Sequence, residues 1–271
     1  MSNIALTAGI NKYQTPGNDL QGCCNDVENM RSLLINGCGL SVMNVKTLIN
    51  ESATKERIIR ELTHMVRNAQ PGDHLVWYHS SHGAQVPALM GDNTEPDGMT
   101  EILCPYDFDW VPEHYITDDE VHDICALLNP GATLDILLDS CHSGDMLREV
   151  GDGTPKFIPY PFPPGVSLIA PNFVEWGKPL LIKPFSIDRG ETEFHNVALW
   201  SGCRSDQTSA DAFINNQHQG AFTWAFINAV SDSMNRRQII FRIDEKLKDS
   251  GYDQEPQLET SEAMKERRVF E

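Results

Sequence analysis

The sequence predicts an α/β protein built on a mostly parallel, doubly wound sheet. Three observations carry that reading. Strand-sized apolar runs recur along the 271 residues, segments of helical periodicity stand between them, and the two most chemically loaded segments each begin where an apolar run ends. Strand alternating with helix is the pattern of a parallel sheet covered on both faces, and such sheets carry their sites at the carboxyl ends of neighbouring strands.

In chain order, Asn3 to Gly9 reads as a first buried strand. Leu20, Cys23, Cys24, Val27, Met30 and Leu34 then share one helical face, which Gly37 and Gly39 bring to a stop. Val42 to Ile49 reads as a second strand. Ile58, Ile59, Leu62, Met65 and Val66 line a second helix, with Ser52 or Thr54 as its cap. His74 to Tyr78 is a third apolar run, and Asp118 to Leu128 a third helix with Val121, Ile124, Cys125 and Leu128 facing inward. Leu134 to Leu138 and residues 196–201 complete the strands, and Gly220 to Val230 the helices.

Residues 151–186 break this rhythm with eight of the sixteen prolines, which suit neither a helix nor a central strand. The chain therefore reads as one domain over 1–271, with a large portion of about 1–148, a Pro-rich connector of about 149–190 and a small portion of about 191–271.

The formal net charge is −18, and between Asn68 and Leu147 there are fifteen Asp and Glu but no Lys or Arg. Such a field repels nucleic acid and anionic lipid and attracts cationic peptides or divalent ions. No apolar run approaches the ~18 residues of a membrane span, and the Met1 end lacks a signal-peptide pattern. Seven irregularly spaced cysteines fit reduced thiols better than a disulfide framework, so a soluble, cytoplasmic protein is expected, without a nucleic-acid or membrane partner.

The chemistry concentrates at two strand ends. Leu134–Leu138 runs into Asp139-Ser-Cys-His-Ser-Gly144, and His74–Tyr78 into His79-Ser-Ser-His-Gly-Ala-Gln85. A thiol with its ordinary pKa near ~8.5 needs help to attack as thiolate. His82 is suited to accept the Cys141 proton and pass it to the leaving amine, while the N–H groups of Gly83 and Cys141 are suited to hold a developing oxyanion. Gly83 and Gly144 leave room for a substrate backbone.

These residues resemble the metacaspases, caspase-like cysteine peptidases of family C14 with the caspase–hemoglobinase fold. The likeness runs from about Ile4 to Leu258 through Leu20-Gln-Gly-Cys-Cys-Asn-Asp26, Tyr78 to Gln85, Leu103-Cys-Pro-Tyr-Asp107, Ile116-Thr-Asp-Asp-Glu120, Asp139 to Gly144, Ser201 to Asp211 and Glu255-Pro-Gln-Leu258, all in family order. The resemblance implies a cysteine endopeptidase with Cys141 as nucleophile and His82 as base. It also implies an acidic pocket of Cys23, Asp26, Ser80 and Asp139 for an Arg or Lys before the scissile bond; two carboxylates offer charge and bidentate acceptors together. His79 stands where the family usually has an aromatic residue.

Calcium activation is implied with Asp118 and Asp119 as ligands. Thr100 and Arg148 stand where the family carries further acids, for which Asp97, Glu101 or Asp145 are the available substitutes; helix capping is the other role open to Asp118 and Asp119. No organic cofactor is implied. The connector lies where family members cut themselves, and Arg148, Lys156, Lys178, Lys183 and Arg189 are the basic residues available. The partners expected are protein or peptide substrates, and the chain is expected to be a monomer. Because it starts almost directly at the first strand, no amino-terminal regulatory arm is expected.

Two other readings use the same residues. A catalytically silent caspase-fold regulator would bind basic peptides without turnover, and a zinc module would draw on His79, His82, Cys141 and His142.

Overall fold

The computed structural model describes residues 2–88, 99–141, 153–161, 185–187, 194–204, 207–231 and 233–269. The chain begins with β1 (Asn3–Gly9), α1 (Cys23–Ser32), β2 (Val45–Ile49), α2 (Lys55–Arg67) and β3 (His74–Ser80). Next come β4 (Gly83–Pro87), β5 (Met99–Leu103), β6 (Ile116–Thr117), α3 (Asp118–Cys125), β7 (Thr133–Asp139) and β8 (Thr154–Pro155). It ends with β9 (Val197–Ser201), β10 (Ala210–Ile214), β11 (Gln217–Gly220), α4 (Ala221–Ala229), α5 (Arg236–Asp249), β12 (Gln257–Glu259) and α6 (Glu262–Lys265).

Six strands form the central sheet in the order β12-β9-β7-β3-β1-β2. All neighbours pair in parallel except β12, which runs antiparallel along β9. The expected α/β architecture with a mostly parallel sheet is thus the observed one.

The inner strands read as continuous apolar runs because both faces are covered. On β3, Leu75 and Trp77 enter one core while Val76 and Tyr78 enter the other; on β7, Leu134, Ile136 and Leu138 face the first and Leu137 the second. The first core is closed by Ile58, Leu62 and Val66 of α2 with Val121 and Ile124 of α3. The second is closed by Val27 and Met30 of α1, Phe222 and Phe226 of α4, and Ile239, Ile243 and Leu247 of α5.

Two local expectations change. Val42 to Ile49 is not all strand: the Ser41 hydroxyl accepts the Met43 N–H, and Val42–Asn44 coils into a 3-10 turn before β2 begins at Val45. The cap of α2 is Thr54, whose hydroxyl accepts the Arg57 N–H, while Ser52 caps the preceding turn.

Two small antiparallel sheets stand beside the main one, β4-β5-β6 and β11-β10-β8. The second takes in part of the connector, since Thr154 and Pro155 pair with Asp211 and Ala210. No helix among the described residues is long and apolar enough to cross a membrane.

Candidate active site

Register brings the site together. Gly9 pairs with Ser80 and Ser80 with Asp139, so β1, β3 and β7 end at one level. His82 lies two residues beyond the end of β3 and Cys141 two beyond that of β7. Both are buried.

The His82 ring is oriented by the Asn18 carbonyl, 2.9 Å from Nε2. A carbonyl can only accept, so Nε2 carries the proton and Nδ1 is left as the basic nitrogen. Nδ1 has no hydrogen-bond partner among the described residues. Burial, helped by the nearby Lys156 charge and opposed by the Asn18 carbonyl, brings the His82 pKa down to about 4, so the ring is neutral near pH 7. The Cys141 thiol donates to the Ser209 carbonyl at 3.4 Å and accepts from the Ser209 N–H. The thiol of Cys203, also buried, donates to the Gln207 carbonyl at 3.4 Å.

Beside the thiol lies a charged pocket, and a side chain of the connector fills it. Lys156 is wholly buried. Its ammonium donates to Asp26 Oδ2 and Ser80 Oγ, each at 3.0 Å, and pairs with Asp139 Oδ1 at 3.1 Å. Both carboxylates accept further donors. Asp26 accepts from Gly220 N–H at 2.7 Å and Ser80 Oγ at 2.9 Å; Asp139 accepts from Ser209 Oγ at 2.8 Å and from Thr223 N–H at 3.1 Å. Burial and the neighbouring Asp139 raise the Asp26 pKa to about 6, with Lys156 pulling against both. The two carboxylates reverse the desolvation of Lys156 and push its pKa up. Cys23 lines the same space, its thiol pushed up by burial.

The backbone of Lys156 is held as specifically as its side chain. Its carbonyl accepts the N–H of Gly83 at 3.0 Å and of Cys141 at 3.2 Å, and its own N–H donates to Ser209 at 3.1 Å. The pocket residues Cys23, Asp26, Ser80 and Asp139 and the two N–H groups of Gly83 and Cys141 therefore converge on one residue.

Comparison with known proteins gives this convergence a family. Residues 4–149 match the metacaspase, peptidase C14 domain. The chain is 33% identical to Metacaspase-1 of Botryotinia fuckeliana over 296 residues, covering 98% of this chain and 69% of that protein. It is also 33% identical to Metacaspase-1A of Aspergillus niger over 299 residues, covering 96% and 70%.

The chain belongs to the metacaspase family.

It is accordingly a cysteine-type peptidase, and its substrates are polypeptides. A crystal structure of a Geobacter sulfurreducens protein superimposes with a TM-score of 0.69 over 100% of this chain and 98% of that one; at 21% identity the likeness bears on the fold.

Other residues expected in the peptidase's site lie elsewhere or have other contacts. Asp118 and Asp119 open α3, where Thr117 and Glu120 form a capping box and Asp118 Oδ1 accepts the Asp119 N–H at 2.9 Å. Among the described residues no group of three His, Cys, Asp or Glu is placed to hold a metal ion. Asp97, Asp145, Arg148, His142, Gly144, Lys178, Lys183 and Arg189 fall outside the described residues. His79 is buried, its Nε2 2.9 Å from Ser81 Oγ and its ring edge-on to Trp77.

Three contributors were not singled out from the sequence. Asp211 accepts the N–H groups of Gln21 and Gly22 at 2.7 and 3.1 Å, fixing the start of α1, and hence Asp26, against β10. Ser209 ties the thiol, the Asp139 carboxylate and the Lys156 backbone together. Gly220 forms the pocket wall, where a Cβ would collide with the Asp139 carboxylate and the Lys156 ammonium. The signal for the first two was present in Ser201 to Asp211, a segment quoted for its family likeness without roles for its residues.

Proposed function

We infer that this peptidase cuts after Lys or Arg, with Cys141 as nucleophile and His82 as general base, and that its first substrate is its own Lys156–Phe157 bond. The carrying observation is the placement of Lys156, whose ammonium fills the acidic pocket while its carbonyl oxygen takes the N–H groups of Gly83 and Cys141. A residue bound for cleavage needs both contacts at once. The side chain selects the bond and the two donors stabilise charge on its oxygen.

The step begins when His82 Nδ1 takes the Cys141 proton. The thiolate adds to the Lys156 carbonyl carbon, and the electron pair of the C=O bond moves to the oxygen held by the two N–H groups. Collapse breaks the bond to the Phe157 nitrogen, which receives the proton from His82. A thioester between Cys141 and Lys156 remains. Water, deprotonated by His82, hydrolyses it to a free carboxylate and restores the thiol. A substrate Lys or Arg then follows the same course once Lys156 has left the pocket.

Among the described residues the calcium expectation rests on Asp118 and Asp119, with Asp97 and Asp145 outside them. The ion takes six to eight oxygens, so two carboxylates at a helix start, one already engaged with the Asp119 N–H, need further donors to hold it. No step is routed through it. The seven free thiols suit a reducing compartment.

The test is incubation of the wild-type chain beside Cys141→Ala and His82→Ala, followed by intact mass and hydrolysis of matched Lys, Arg and Asp peptides. Cleavage after Lys156 and turnover of the Lys and Arg peptides by the wild type alone is the expected result. A wild-type chain still uncut at full activity, or Cys141→Ala working at near wild-type rate, would overturn it.

A further inference from the structure

The primed side of the cleaved bond is also occupied, by the residues that follow Lys156. Gly83 clamps both sides of the Lys156–Phe157 peptide, its N–H donating to the Lys156 carbonyl and its carbonyl accepting the Ile158 N–H, both at 3.0 Å. Phe157 is bridged in parallel to Gly83. The contact is a single parallel bridge at the start of β4, which among the described residues pairs with β5 along its other edge, and it has the backbone pattern by which an extended chain adds to a sheet edge.

The side chains alternate as such a chain requires. Phe157 is half-buried, Ile158 is only 8% exposed, Pro159 faces out, and Tyr160 is half-buried again. Ile158 belongs to the apolar core that contains Phe108 and Val86. Tyr160 sets its ring edge-on to Trp110 at 5.3 Å between centroids, and Trp110 packs on Phe108 at 4.7 Å. Trp110 holds a left-handed φ of 72°, a conformation that side chains of its size rarely adopt. An inward second residue and an aromatic fourth residue thus have built receptors, whereas the third faces out.

We propose that the peptidase reads its substrates beyond the basic residue, selecting an aliphatic side chain at the second position after the cut and an aromatic one at the fourth. The Gly83 backbone sets the direction of the primed chain, and Trp110 with Phe108 forms the receptor for the aromatic ring. The substrate class is a polypeptide with a branched aliphatic at the second position after its Lys or Arg and an aromatic at the fourth. This rests on the Lys156–Phe157 reading above, because it takes residues 157–160 as the leaving half of a substrate. After the cut, the new amino terminus at Phe157 withdraws and opens the same track to the next chain.

The test uses self-cut enzyme and internally quenched peptides copied from Gly153 to Tyr160. One carries the native residues, one Asp at the Ile158 position and one Ala at the Tyr160 position, and a short Lys–dye reporter has no primed residues. Replacing Ile by Asp is expected to lower kcat/KM about tenfold or more, and Tyr by Ala about threefold to tenfold, from the usual worth of a buried aliphatic and an aromatic pair. In Trp110→Ala enzyme the ratio between the native and Ala-containing peptides should fall to near one, while the ratio for the Asp-containing peptide persists. Those ratios are internal to each enzyme, so the fraction that folds does not affect them. Equal kcat/KM for all three peptides with the Lys–dye reporter still cleaved would overturn the primed track and leave the basic-residue reading standing. Failure to cleave any of the four would overturn both.

Discussion

Strand β7 carries two buried carboxylates on the same face, four residues apart, and they are partnered in opposite ways. Asp135 faces Arg236, whose Nε and Nη2 reach its two oxygens at 2.9 and 2.6 Å, with Trp200 Nε1 adding a third donor at 3.0 Å. The rest of that guanidinium donates to the carbonyls of Met264, Arg267 and Arg268, so the pair ties the sheet to α5 and to the chain's end. Asp139 faces Lys156, a point charge on the connector that it shares with Asp26. A planar fork matched to one carboxylate is a fixture, whereas an ammonium surrounded by three acceptors can be replaced by another cation of similar reach. The same type of residue on the same strand serves architecture at one place and, in the proposed reading, exchange at the other.

The comparison breaks first at the fixture. Arg236→Met strands Asp135 in the core, and a loss of about 3–5 kcal/mol is expected in urea unfolding. Gly220→Ala acts at the other carboxylate, in the pocket that the cleavage reading assigns to the substrate's basic side chain. With a methyl group where the Asp139 carboxylate and the cation meet, kcat/KM for Lys and Arg peptides should drop about a hundredfold, as for other displacements of an ångström at a reacting centre, with a stability loss of about 1–3 kcal/mol, smaller than that of Arg236→Met.

Lys156→Met sharpens the contrast through pH. Asp26 has a folded pKa of about 6, above its ordinary 3.8, so the folded state binds its proton more tightly and stability falls as pH rises between those values. Removing Lys156 takes away the charge that was lowering that pKa. The stability deficit of the variant should therefore be small in acid and grow as pH rises through and beyond 6, whereas that of Arg236→Met should be present on both sides of pH 6. The same variant should remain uncut at residue 156.

The smallest effect concerns the acid limb of activity. Protonating Asp26 removes half of the pocket's charge, so kcat/KM for basic peptides should fall as pH drops, with its midpoint at or above about 6, while kcat, measured with the cation in place, persists to lower pH. An acid limb in kcat/KM below pH 5 would remove Asp26 from that role.

Much of this arrangement was legible because it is local. The strands at Asn3–Gly9, His74–Ser80 and Thr133–Asp139 are continuous apolar runs, and the loops after the last two are short enough for position along the chain to imply position at the sheet's end. The family likeness placed Asp26 and Ser80 in the pocket from residues far apart in sequence. The role of Lys156 had no local signal. It was one of five basic residues in or near the connector, and what distinguishes it is the pairing of Thr154 and Pro155 with β10 and of Phe157 with Gly83, contacts that span tens of residues. Arg236 was hidden for another reason. Helix α5 was not read from the sequence, an arginine at the start of a helix is normally solvated, and the buried Asp135 with the carbonyls of Met264, Arg267 and Arg268 explains its complete burial.

The covalent tether of Lys156 has a consequence for measurement. A ligand joined to its receptor by a chain competes at an effective concentration on the order of millimolar, whatever the concentration of protein in the tube. Dilution therefore does not empty the pocket of an uncut molecule, and a free peptide or inhibitor must outcompete that local supply before it registers. A weak apparent affinity in an uncut preparation would then reflect competition by its own lysine rather than a poorly formed pocket, and the affinity intrinsic to the pocket would emerge only after the chain is severed.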